Sequence, residues 1–146
     1  MPDPRDLLRH PVDAATLDRT GIMAVLGIRA VELSPTRVVL EVPITEWLHQ
    51  PHGVLHGGVS ALLAETAASY GGSLAAPPGH LVMGIELNAS HLRAMRDGVL
   101  TATATPARIG RTLQVWDIDL TDDAGRRICR ARCTLAVSRP KESGAQ

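Results

Sequence analysis

From Val38 onward most of the chain reads in twos. Val38, Leu40, Val42 and Ile44 alternate with Arg37 and Glu41. Leu100, Ala102 and Ala104 alternate with Thr101, Thr103 and Thr105, and Cys129, Ala131, Cys133, Leu135 and Val137 with Arg130, Arg132 and Thr134. Period-two alternation predicts half-buried antiparallel strands, each with one face to the core and one to water. Two further strands are expected over 81–93 and 112–121, with Asp122-Asp123-Ala124-Gly125 as the hairpin turn that follows.

One stretch breaks the pattern. From Gly58 to about Ser73, Val59, Leu62, Leu63, Thr66, Ala67, Tyr70 and Leu74 recur at three and four residues, which predicts a helix with an apolar stripe turned to the sheet. The other side carries Gly58, Ala61, Glu65, Ala68, Ser69 and Gly72, leaving space for a ligand or a second backbone. Residues 1–22 form a polar N-terminal segment with three prolines in the first eleven positions, and they hold a candidate short helix from Asp13 to Arg19 that stops at Gly21. Residues 23–138 form one domain, and 139–146 read as a flexible tail.

Composition narrows the function. The 15 basic side chains balance the 15 acidic ones, so no nucleic-acid partner is signalled. With no Phe, two Trp and one Tyr, the chain lacks a base-stacking platform and an interfacial aromatic belt. No apolar run approaches the roughly 20 residues of a membrane span, and the first residues carry no basic stretch followed by an apolar one, so no signal peptide is expected. Cys129 and Cys133 lie too far apart on one strand face to be bridged. Two buried thiols fit a reducing cytoplasm, the expected location.

Between Trp47 and Ile85 the only formal charge is Glu65, mid-helix, on a face that reads as buried and with no Lys or Arg one turn away. A carboxylate so placed is assigned to chemistry rather than to surface pairing. Ser69, one turn on, can hydrogen-bond a carboxylate, a water or a substrate. Upstream, His56-Gly57-Gly58 leads into the helix. Glycines at a helix start permit close approach to a ligand, and the free amides there suit a developing oxyanion. His49, His52 and His56 invite a metal reading, but Pro51 and Gly53 interrupt any shared helical face and no carboxylate or thiol completes a set, so no metal is expected. No nucleophile elbow, phosphate loop or dinucleotide fingerprint occurs.

The segment His49-Gln50-Pro51 followed by Leu55-His56-Gly57-Gly58-Val59-Ser60-Ala61-Leu62-Leu63-Ala64-Glu65-Thr66-Ala67-Ala68-Ser69 resembles the hotdog-fold acyl-CoA thioesterases, in the branch of the 4-hydroxybenzoyl-CoA and 1,4-dihydroxy-2-naphthoyl-CoA enzymes, with the phenylacetate-pathway enzymes nearby. Gly84–Arg93 and Arg108–Arg111 look like the same family. The resemblance implies an α+β hotdog fold, an antiparallel sheet of about five to six strands wrapped around one central helix. It implies hydrolysis of an aryl or medium acyl-CoA to the acid and free CoA, without a cofactor, since CoA is part of the substrate. Glu65 would be the nucleophile or general base, and Gly57 N–H, helped by Gln50 and His56, would polarise the carbonyl. Ser69 would position the water or the carboxylate. Gly84, His91, Leu92, Arg93, Arg108, Ile109, Gly110, Arg111 and Thr112 would line the CoA groove, where guanidinium forks suit phosphate. The alternatives are a hotdog enoyl-CoA hydratase or dehydratase, or a non-catalytic acyl-CoA binding module.

The resemblance also implies at least a homodimer, with a homotetramer expected, and helix geometry points the same way. Gly57 and Glu65 are eight residues apart, roughly 12 Å along a helix axis. An oxyanion donor and an attacking group must both lie about 3 Å from one reacting centre. Antiparallel helices of two subunits would bring Gly57 of one opposite Glu65 of the other.

Overall fold

The computed structural model describes residues 21–139. The candidate helix at 13–19 and all but the first residue of the tail lie outside them. In chain order the elements are α1 (Gly21–Leu26), β1 (Arg29–Leu33), β2 (Val38–Pro43), a single 3-10 turn (Glu46–Leu48), β3 (His49–Gln50), β4 (Val54–Leu55), α2 (Gly57–Ala75), β5 (Leu81–His91), β6 (Val99–Ile109), β7 (Leu113–Thr121) and β8 (Arg127–Ser138).

Six strands form one antiparallel sheet in the order β1-β2-β6-β7-β8-β5, and α2 packs against β2, β5, β6, β7 and β8. This is the hotdog arrangement that the sequence resemblance implies. The period-two residues meet one another across the ladder: Leu40 pairs with Ala102, Ala102 with Leu120, and Leu120 with Cys129, all buried. Their polar neighbours stand on the outer face, where Asp117 meets Arg132 at 2.9 Å and Arg29 meets Glu41 at 3.1 Å. The Asp122–Gly125 turn forms as expected. Asp122 Oδ1 accepts from the amides of Ala124 and Arg126, and the bonded Arg126 guanidinium holds the Asp122 carboxyl below the usual carboxylate range.

The helix meets the sheet on a different face from the one expected. Its buried residues are Ser60, Leu63, Ala64, Ala67, Ala68, Gly71 and Gly72. The sheet supplies the volume: a Cβ at Gly71 would run into the Trp116 ring, and one at Gly72 into Leu135. Small helical residues let the backbone settle onto these large side chains. Ala68 and Gly72, expected on the open side, therefore face the sheet, while Leu62, Thr66 and Tyr70 turn partly outward. Gln114 closes the polar account beneath the helix end, donating to the Gly72 carbonyl (3.2 Å) and accepting from Trp116 Nε1 (2.9 Å).

Not expected were α1, the edge strand β1, the 3-10 turn and the β3–β4 hairpin. Gly21, expected to end a helix, opens α1 instead with φ +64°. Both thiols are free and buried. Among the described residues no helix is long and apolar enough to cross a membrane.

Candidate active site

The β3–β4 hairpin delivers the chain to the start of α2, and His56 caps the helix. Its Nδ1 accepts from Gly58 N–H at 2.8 Å, and its carbonyl accepts from Val59 N–H at 2.9 Å. The cap leaves the ring proton on Nε2. It also consumes two of the amides that a helix start leaves open. Gly57 N–H has no partner among the described residues, so it is the amide left to meet a ligand.

The glycine pair serves the imidazoles. A Cβ on Gly57 would come within 2.8 Å of His91 Nε2, and one on Gly58 within 2.9 Å of His56 Nδ1. His91, at the end of β5, thus lies against the helix start. Gln50, His56, Gly57, His91 and Arg93 line one cleft of about 470 Å³.

Glu65 and Ser69 open elsewhere. With Gly58 and Ala61 they line a second groove of about 580 Å³, whose apolar walls include Met23, Leu62, Tyr70 and Leu87. Glu65 is exposed here, so its own chain does not bury it, contrary to the expectation from its small neighbours. It makes no hydrogen bond or ion pair among the described residues. Its carboxylate lies over Gly84, where a Cβ would collide with Oε1. Gly84 therefore stands under the acid. Beneath, Cys133 is buried, and burial first, then the Glu65 and Glu86 carboxylates, push its thiol up to about 11.

Arg108 and Ile109 end β6 and are exposed, as are Arg111 and Thr112 in the β6–β7 turn, which Gly110 N–H closes by donating to the Leu113 carbonyl at 2.9 Å. Arg93, Arg108 and Arg111 form no ion pair among the described residues, whereas Arg29, Arg37, Arg126, Arg127 and Arg132 all do. Leu92 and Arg93 are anchored through their amides to the Ile128 carbonyl. Of the three nearby histidines, His49 Nε2 lies 2.7 Å from the Arg96 carbonyl, His56 caps the helix and His52 is exposed. No three His, Cys, Asp or Glu side chains converge among the described residues.

Residues 52–129 match the model of the thioesterase superfamily. This chain belongs to that superfamily. Among its relatives, the 1,4-dihydroxy-2-naphthoyl-CoA hydrolase of Listeria monocytogenes is 42% identical over 122 residues, covering 84% of this chain and 99% of the relative. A Haemophilus influenzae thioesterase superposes with a TM-score of 0.85 at 37% identity, covering 93% of this chain and 97% of its own. A Pseudomonas aeruginosa thioesterase variant does so with 0.81 at 38%, covering 88% and 96%. The chain is thus an enzyme of the thioester-hydrolysing class, and its two grooves divide the residues singled out in the sequence. Gln50, His56 and Gly57 lie in one, Glu65 and Ser69 in the other. Arg96, which ties down the hairpin carrying Gln50, escaped sequence reasoning because its partner Gly53 is 43 residues away.

Proposed function

We propose that this thioesterase hydrolyses an aryl or medium-chain acyl-CoA, with Glu65 of one subunit acting on a thioester held by Gly57, Gln50 and His56 of another. Glu65 either attacks the carbonyl carbon itself or takes the proton of the attacking water. The carbonyl oxygen gathers negative charge against Gly57 N–H at the positive end of α2. The C–S bond then breaks, and the CoA sulfur leaves and takes up a proton. Where water attacked, this step releases the acid; where Glu65 attacked, it leaves a mixed anhydride on Glu65, which water then hydrolyses to the acid and the free carboxylate. Ser69, one turn from Glu65, positions the water or the carboxylate.

One observation carries this reading: in a single chain the unpaired Gly57 amide and the unpaired Glu65 carboxylate open into different grooves. A two-fold partner with antiparallel α2 helices unites them. The edge of the sheet favours such a partner. Among the described residues β5 pairs only with β8 and leaves an eleven-residue edge with Met83 and Ile85 at 60% and 59% exposure, which a soluble protein ordinarily covers. A tetramer built from such dimers is the assembly we propose, in the cytoplasm.

The apolar wall beside Glu65 suits an uncharged acyl group, and the likeness to a naphthoyl-CoA hydrolase supports an aromatic one. Arg93, Arg108 and Arg111, without an ion pair among the described residues, suit the CoA phosphates. The test is a panel of aryl, short and long acyl-CoA esters assayed for free thiol. Thiol release from an aryl or medium-chain ester is expected. Loss of an enoyl chromophore without thiol release would instead indicate hydration.

A further inference from the structure

We infer that Arg96 is a positioning residue: it clasps the Pro51–Gly53 turn and so fixes the side-chain amide of Gln50 with its nitrogen free to meet substrate. The inference rests on the reading above that Gln50 meets the thioester.

Gln50 sits on a hairpin that has little to hold it. Strands β3 and β4 contribute two residues each, pairing only His49 with Leu55 and Gln50 with Val54. A hairpin that short has no independent stability. It is held instead by two adjacent residues of the β5–β6 connection. Met95 accepts at its carbonyl from Leu55 N–H (2.7 Å), and the Arg96 carbonyl takes His49 Nε2 (2.7 Å). These two contacts grip the base of the hairpin. The Arg96 guanidinium reaches its tip, with Nη1 donating to the Gly53 carbonyl at 3.0 Å.

The tip controls Gln50. Gly53, with φ +70°, closes the turn by donating its N–H to the Gln50 carbonyl at 2.9 Å. Within that turn His52 N–H donates to Gln50 Oε1 at 3.1 Å. This bond holds the amide by its oxygen and leaves the NH₂ group, the end that can donate to a thioester carbonyl, without a partner among the described residues. If the turn loosens, His52 N–H withdraws and the amide can rotate. The guanidinium forms no ion pair among the described residues, so its charged donor is committed to this carbonyl. It makes one hydrogen bond there rather than a fork, so a lysine ammonium can substitute.

Four variants test the inference: Arg96→Ala, Arg96→Lys, Gln50→Ala and the Arg96→Ala/Gln50→Ala double variant. Each is assayed for thiol release on an acyl-CoA that the unaltered enzyme turns over. Arg96→Ala is expected to lower kcat about tenfold with KM within about twofold, inside the roughly hundredfold that a 1 Å misplacement costs. Arg96→Lys should recover most of that loss. In the Gln50→Ala background Arg96→Ala should change kcat by less than about twofold, because the group it positions is gone. An equal loss in both backgrounds would overturn the inference, since a merely structural effect does not depend on Gln50. Loss in Gln50→Ala with none in Arg96→Ala would overturn it alone, whereas full activity in Gln50→Ala would overturn the reading of Gln50 and this inference with it. Hydrogen exchange over residues 49–56 needs no substrate. It should speed up in Arg96→Ala and stay near the unaltered rate in Arg96→Lys, and unchanged exchange in Arg96→Ala would remove the clasp.

Discussion

The Glu65 carboxylate lies over the α-carbon of Gly84, in the space that a side chain on β5 would occupy. A helix residue and a strand residue nineteen positions apart in the chain thereby share one site, and the smaller leaves the larger its position.

Gly84→Ala tests that relationship. The obstructing atom is the end of a flexible side chain, so the new methyl displaces the carboxylate rather than the backbone. Alanine is also better suited than glycine to a strand interior. Melting temperature should hold or rise while kcat falls at least about tenfold, on the scale of a misplaced reacting group. Unchanged turnover would show that the present position of Glu65 is not the working one.

Glu65→Ala should lower turnover by at least about a hundredfold, the scale of losing a general base or nucleophile. The side chain is exposed and unpaired, so thermal unfolding should be nearly unaffected. Near wild-type turnover on a good substrate would end the assignment.

Arg93→Ala, Arg108→Ala and Arg111→Ala should each raise KM more than they lower kcat, because phosphate contacts are shared by bound substrate and transition state. Dephospho-CoA esters should show a raised KM with the unaltered enzyme. Equal KM values for the two ester types would remove the 3′-phosphate from this surface.

Cys133 gives a pH signature. Its thiol is held up to about 11 against an ordinary 9.0, first by burial and then by Glu65 and Glu86. Below about pH 9 folded and unfolded chains both keep the proton. Between about 9 and 11 the unfolded chain loses it first, so stability falls as pH rises through that window. In Cys133→Val the decline of melting temperature across the window should be shallower. Parallel curves would show that the thiol does not contribute.

Much of this was legible in the sequence, for physical reasons. Strands with one wet face announce themselves by alternation, and β2, β6 and β8 did; β5 and β7 were expected only as strands around 81–93 and 112–121. The edge strand β1 did not, because Arg29–Leu33 buries neither face fully. The helix was legible but its orientation was not. A stripe of large residues ordinarily marks the buried side, yet here Trp116 and Leu135 rise from the sheet to meet Ala and Gly. Glu65 stood out as the one charge in a long neutral stretch. What the carboxylate rests on, which amides the His56 cap consumes, and what holds Gln50 in place are contacts between distant parts of the chain, which periodicity does not carry.

The central claim is that one subunit supplies Glu65 and another supplies Gly57 and Gln50, and subunit mixing tests it most directly. Glu65→Ala and Gln50→Ala proteins, each impaired alone, are unfolded together in equal amounts and refolded. Random pairing makes half the dimers mixed, each with one intact site of two, so activity should recover to about one quarter of wild type above the parental residues. Verified exchange of subunits with no gain over the parents would contradict the account and return both residues to a single chain.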